Sequence, residues 1–377
     1  MSTKFVFRRL RRMAFMSAFA FSMLIAIPIA AFAQSSVAQS HPVAHGVYQQ
    51  TNLVSDLAGM APVTDPNLVN PWGLVASATS PWWVSDNGAG LTTLYNGQGQ
   101  IVPLVPTIPA PTGSAAGTLG TPTGVVFNST TGFVITENGV SAPAAFIFST
   151  EDGTIAGWSG AVDRAHAILT VDRSKIGAGA VYKGLAIATN SAGTFLYATN
   201  FRFGTIEVFN SSFKLVGSFK DRYLPRGYAP FGIQNIGGNL YVTFAQQDAA
   251  RHDDVAGRGH GFVDVFSASG RLLRRLVSRG KLNSPWGLAL APANFGAFSN
   301  ALLVGNFGDG LIHAYNPKNG ALLGTLSNSS RAPLVIDGLW GLSFGNGSGS
   351  GATNDLFFTA GIQDEAHGLF GKIDSVS

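Results

Sequence analysis

The sequence predicts an all-β fold, a six-bladed β-propeller with four-stranded blades, and three observations carry the prediction. Only 4 glutamates and 8 lysines stand beside 27 phenylalanines and 47 glycines in 377 residues. Glu and Lys favour helices, whereas aromatic and β-branched residues favour strands. A segment ending in glycine and an apolar residue recurs six times. The two ends of the chain also carry matching deficits, as if one blade were shared between them.

The recurring segments are Asn70-Pro71-Trp72-Gly73-Leu74, Thr121-Pro122-Thr123-Gly124-Val125 and Val181-Tyr182-Lys183-Gly184-Leu185. Ala229-Pro230-Phe231-Gly232-Ile233, Ser284-Pro285-Trp286-Gly287-Leu288 and Gly338-Leu339-Trp340-Gly341-Leu342 complete the set. Their glycines lie 51, 60, 48, 55 and 54 residues apart, the length of four strands with turns. A second apolar run follows each segment, such as Trp82-Trp83-Val84-Ser85 or Ala301-Leu302-Leu303-Val304. The third run ends in an aromatic and a turn residue: Tyr95-Asn96, Phe148-Ser149, Phe209-Asn210, Phe266-Ser267 and Tyr315-Asn316, with Ile373-Asp374 in the last copy. Turn chemistry such as Asn316-Pro317-Lys318-Asn319-Gly320 then leads into a fourth strand, Leu322 to Leu326. The sixth copy stops after three strands, and the strand-like piece Tyr48 to Val54 precedes the first. Pairing the two closes the ring and leaves no long sheet edge.

Residues 1–33 read as an export signal. Lys4, Arg8, Arg9, Arg11 and Arg12 precede an apolar run from Met13 to Ile29, and Ala31-Phe32-Ala33 gives a small-x-small cleavage pattern. That run is short for a spanning helix. Residues 34–46 follow as a polar linker, and 47–377 form one propeller domain. Cleavage removes 5 of 24 basic residues and none of 20 acids, leaving 19 against 20, a net charge of −1. With that balance, and with Arg271, Arg274, Arg275 and Arg279 read as a solvated strand edge, nothing argues for nucleic acid. The expected product is an exported monomer, periplasmic or extracellular, with no membrane span after cleavage. Absence of cysteine excludes disulfides, cysteine–zinc sites and a thiol nucleophile. There is no phosphate loop, His-Glu-x-x-His or dinucleotide fingerprint.

The repeats resemble NHL-type six-bladed propellers. The run from Gln247 to Gly257, with Gly305-Asn306-Phe307-Gly308-Asp309-Gly310 and Phe358-Thr359-Ala360-Gly361, is similar to an uncharacterised family of exported bacterial proteins. Some members carry a C-terminal PEP-CTERM tail. This chain ends in Lys372-Ile373-Asp374 without an apolar anchor, which implies release. The resemblance implies the fold over nearly the whole mature chain and brings no established activity.

Aligning the ends of the second strands gives one column: Asp86, Glu137, Asn200, Phe244, Asn306 and Ala360. A propeller gathers this position near its axis, so Asp86, Glu137, Asn200 and Asn306 would offer two carboxylates and two amides to a calcium ion. The quartet is similar in composition to the calcium site of gluconolactonase-like propellers, where the metal polarises a lactone carbonyl. The alternative is that these residues cap turns, as Asp86-Asn87-Gly88 suggests. His252, His260, His367 and Asp364, in loops of blades four and six, are candidates for acid–base catalysis or for loop solvation. Trp72, Phe231, Trp286 and Trp340 recur at one position of the first strands, either as a flat ligand mouth or as inter-blade core.

Three readings follow. The first is a binding or interaction module whose mouth takes a small molecule, a glycan or a protein, with or without calcium. The second is a calcium-dependent lactonase or esterase built on Asp86, Glu137, Asn200 and Asn306. A structural part of the envelope or matrix is the third.

Overall fold

The computed structural model describes residues 46–376, so the expected signal at 1–33 and nearly all of the 34–46 linker lie outside the described residues. The described chain is a ring of six antiparallel blades. Blade 1 comprises Pro71–Val75, Trp82–Asp86 and Leu91–Tyr95, with isolated bridges at Ile101 and Thr107 where a fourth strand would lie. Blade 3 (Tyr182–Asn190, Gly193–Asn200, Thr205–Phe209, Leu215–Phe219) and blade 4 (Tyr228–Ile236, Asn239–Gln246, Phe262–Ser267, Leu272–Ser278) are complete four-stranded sheets. Blade 5 is Pro285–Leu290, Leu302–Asn306, Ile312–Tyr315 and Leu322–Thr325.

Blade 6 closes the ring as the sequence predicts. Leu339–Phe344, Leu356–Ile362 and His367–Ser375 come from the C-terminal end, and Tyr48–Ser55 pairs antiparallel with the last of them, Tyr48 opposite Ser375 and Ser55 opposite Leu369. Tyr48 fastens this seam. Its ring stacks on Phe298, and its hydroxyl donates to Phe295 O and accepts from Phe298 N. Among the described residues no helix is long and apolar enough to cross a membrane.

Blade 2 corrects one expectation. Val134–Glu137 is not its second strand but half of a separate two-stranded hairpin with Val140–Pro143. The blade itself is Pro122–Phe127, Phe146–Thr150, Thr154–Ser159 and Asp163–Asp172, so the run ending in Phe148-Ser149 is second rather than third. An inserted hairpin alternates and ends in a turn just as a blade strand does, so pattern alone counted it as one.

The repeated glycines are what close the ring at its centre. A Cβ on Gly73, Gly124, Gly184, Gly232, Gly287 or Gly341 would come within 3.0 Å of backbone in the next blade's first strand. The atoms met are Thr123 O, Leu185 N, Phe231 O, Trp286 O, Trp340 O and Trp72 O, one full circuit. Each first strand also carries a register shift at this glycine. Such bulges re-aim a side chain, here that of the preceding residue, toward the axis.

Between blades the core is aromatic and aliphatic, and it buries some polar groups. One is His313, fully enclosed in blade 5 with Nδ1 on Thr325 Oγ1 at 2.8 Å. Burial, partly opposed by Asp309, pushes its pKa down to about 4. The unfolded chain therefore takes up a proton near pH 6.5 that the folded chain refuses, and stability falls as the pH drops through that window. The wild type should lose about 2 kcal/mol of this contribution between pH 7 and about pH 5. His313→Gln should show a correspondingly flatter profile in denaturant titrations, and equal slopes for both proteins would refute the assignment.

Candidate functional site

The channel is plugged. Trp72, Phe231 and Trp340, three of the six residues thrown inward by the bulges, are buried with Phe201, Ala229 and Ala245 in one central cluster. Trp72 stacks on Trp340 with ring centroids 3.5 Å apart, and Phe307 stacks on the other side at 4.1 Å. Trp286 is half-buried, meets both tryptophans edge-on and donates its indole N–H to Lys183 O at 2.8 Å. Its free edge borders a void of about 30 Å³ on the far side, room for about one water. Of the aromatic column, only Trp286 could touch a ligand, and the rest is core.

Lys183 occupies the same inward position in blade 3. It is 2 % exposed, with Nζ 5.0 Å from the Trp72 ring centroid. Its ammonium donates to Glu151 Oε1 of blade 2 and, at 3.0 Å, to Asp253 Oδ1 of blade 4. Burial alone would lower its pKa, but the two carboxylates outweigh that and raise it, so Lys183 is a fixed cation and not a nucleophile.

Around it a polar floor spans the mouth. Glu151 Oε2 accepts from Asn87 Nδ2 at 2.8 Å, and Asn70 Nδ2 donates to Glu365 Oε1 at 3.0 Å. Trp340 Nε1 donates to Asn70 Oδ1 at 3.2 Å, tying floor to plug. His252 Nδ1 lies 2.9 Å from Asp253 Oδ1, a hydrogen bond that raises the histidine pKa and helps hold that aspartate well below the carboxylate range. Burial pushes Asp254 and Glu365 up. Five blades contribute, and only Asp253, 65 % exposed, stands well out into solvent.

The expected metal quartet does not assemble. Asp86, Asn200 and Asn306 do end their second strands at matching positions, opposite Pro71, Tyr182 and Pro285. Each side chain, however, is buried within its own blade. Asn200 Nδ2 donates to Glu207, Asn306 Nδ2 to Asp309 and Lys281 O, while Asp86 sits beside Thr93 with its pKa raised by burial. Glu137 lies on the inserted hairpin, and Thr150 holds its place, opposite Pro122. The donor set does not fit one ion. The axis is lined by the residues one step later (Phe201, Ala245 and Phe307 in the plug, Asn87 and Glu151 in the floor), because a single step along a strand turns the side chain to the other face.

Of the loop candidates, only His252 reaches the floor. His260 Nδ1 bonds Val255 O at 2.8 Å and holds its own loop. His367 Nδ1 bonds Asp56 Oδ2 at 2.6 Å, and Asp56 Oδ1 accepts from Gly368 N, so the pair secures the closing strand. Asp364 is exposed on a turn at positive φ. Sequence reasoning missed Glu151, Asp253 and Glu365 as partners. The available signal was Lys183 itself, a lysine where other blades carry tryptophan or phenylalanine.

Fold and floor define a six-bladed β-propeller with a sealed axis. A streptogramin B lyase structure superposes with a TM-score of 0.51 at 13% identity, covering 89% of this chain and all of the other, a likeness of fold alone. No protein-family model matches. The chain is 33% identical over 328 residues to uncharacterized protein R648 of Acanthamoeba polyphaga mimivirus, covering 85% of this chain and 78% of that one. Against uncharacterized protein L690 of the same virus the identity is 34% over 330 residues, covering 85% and 84%. The chain belongs to the family of these proteins.

Proposed function

We propose that the protein is an exported binding module whose mouth takes a small hydroxyl-rich ligand such as a sugar. The supporting observation is the floor itself: acceptors from several blades converge over an aromatic plug, with Asp253 and His252 reaching solvent. A floor rich in carboxylate oxygens accepts hydrogen bonds from hydroxyl groups, and the plug makes the mouth a dish instead of a pore. Export rests on the leader at 1–33.

A second reading, a metal-assisted hydrolase, draws on Glu151, His252 and Asp253, whose ligand atoms lie within 4.8 Å of one another. Lys183 already pairs with both carboxylates, so a divalent ion would sit against a buried ammonium. Binding is therefore the preferred reading.

The test is a thermal-shift panel of neutral and amino sugars with and without calcium. At least one sugar should raise the melting temperature without calcium, and Asp253→Asn and Glu365→Gln should each weaken its binding about tenfold, as loss of a charged hydrogen bond predicts. A shift seen only with calcium, accompanied by turnover of lactone or ester substrates, would favour the hydrolase. No response to any sugar would remove the binding proposal.

A further inference from the structure

Off the axis, on the same face, a cleft of about 460 Å³ opens between blades 3 and 4. Its walls carry five cations: Arg202, Lys220, Arg222, Arg226 and Arg251. Among the described residues none of the five makes an ion pair. The one acid of the lining, Asp221, is buried and already paired with Arg275, which approaches from the outer strand of blade 4. Such a concentration of unpaired positive charge is out of keeping with a domain expected to be near neutral, and it has no role in the fold described above.

We propose that this cleft binds a small sugar carrying phosphate or sulfate groups. Guanidinium groups present planar forks matched to the oxygens of such anions, and four of the five cations are arginines. Arg202 is held in place by donating to Ala178 O at 2.6 Å and Gly179 O at 3.2 Å. Arg251 sits at φ 55 in a turn whose Asp248 O accepts its N–H. Phe203 and Tyr228 add flat faces on which a sugar ring can stack. The cleft volume falls in the range of about 300–1,000 Å³ usual for small-molecule sites, which favours a small ligand over a polymer. Because Gln247 and Arg251 open the same loop that brings His252 and Asp253 to the axis, the cleft adjoins the mouth. The one face thus offers an acidic floor beside a basic cleft.

Titration calorimetry on the purified protein at low salt tests this with fructose 1,6-bisphosphate, N-acetylglucosamine 6-sulfate, unmodified fructose and a short DNA duplex. At least one anionic sugar should bind, and which one tells phosphate from sulfate. Its affinity should fall at least tenfold in Arg222→Ala and in Arg226→Ala, and fall with added salt. Both side chains are exposed, and circular dichroism of each variant checks that the fold is kept. Lys220→Glu, also exposed, gives an independent variant that should abolish the signal. The proposal is overturned if neither anionic sugar binds, if unmodified fructose binds as well as they do, if only DNA binds, or if folded variants bind like the wild type.

Discussion

Gly232→Ala is expected to destabilise the propeller by about 3 kcal/mol or more, the upper end of overpacking costs. The added methyl would be driven against Trp286 O, a backbone atom of the next blade that cannot rotate away. Thr243 Oγ1, which accepts from Gly232 N at 2.8 Å, stands on the other side. Relief requires prising two blades apart at the centre of a closed ring. Gly217→Ala is the matched control, since its Cβ would meet nothing within 4 Å on an exposed outer strand. Urea denaturation of both variants decides the matter. Similar midpoints for the two would mean that the repeated glycine is not set by inter-blade contact.

Lys183→Met should cost about 3–5 kcal/mol, the usual effect of removing one partner of a buried pair. Asp253 is well solvated and loses little. The cost falls on Glu151, only 14 % exposed, whose carboxylate would keep Asn87 as its hydrogen-bond donor and lose its counter-charge. Adding Glu151→Gln to Lys183→Met removes that stranded charge and should recover more than half of the loss. The double-mutant cycle should therefore show strong coupling between the two sites. A Lys183→Met protein within 1 kcal/mol of wild type would show that the ion pair does not hold blades 2, 3 and 4 together at the mouth.

Much of the architecture was legible because its physical causes are local and repeat. Six inner strands must approach one axis, each approach admits only glycine, and so the sequence displays a glycine roughly every fifty residues. The shared blade was legible for a similar reason: an unpaired strand at one end and a short blade at the other have one economical solution, and Tyr48–Ser55 pairs with His367–Ser375 accordingly.

The site was legible only in part. Two small errors displaced it. Reading Val134–Glu137 as a blade strand put Glu137 where Thr150 belongs and hid Glu151, the residue that meets Lys183. Reading the column at Asp86, Asn200 and Asn306 chose the wrong face of the strand, since period-two alternation makes a one-residue offset a complete reversal. The histidines were found as loop residues, but nothing in their spacing separates His252, which meets the mouth, from His260 and His367, which hold loops.

By itself, then, the chain determined the blade count and the closing strand, because these rest on periodicity and on sterics acting between neighbouring repeats. Only the folded molecule decided which polar groups meet. Lys183 finds Glu151 and Asp253 at separations of 32 and 70 residues, and the basic cleft gathers cations from several turns of two blades. Electrostatic partnership depends on distance in space, and no local pattern encodes that distance until the ring has closed.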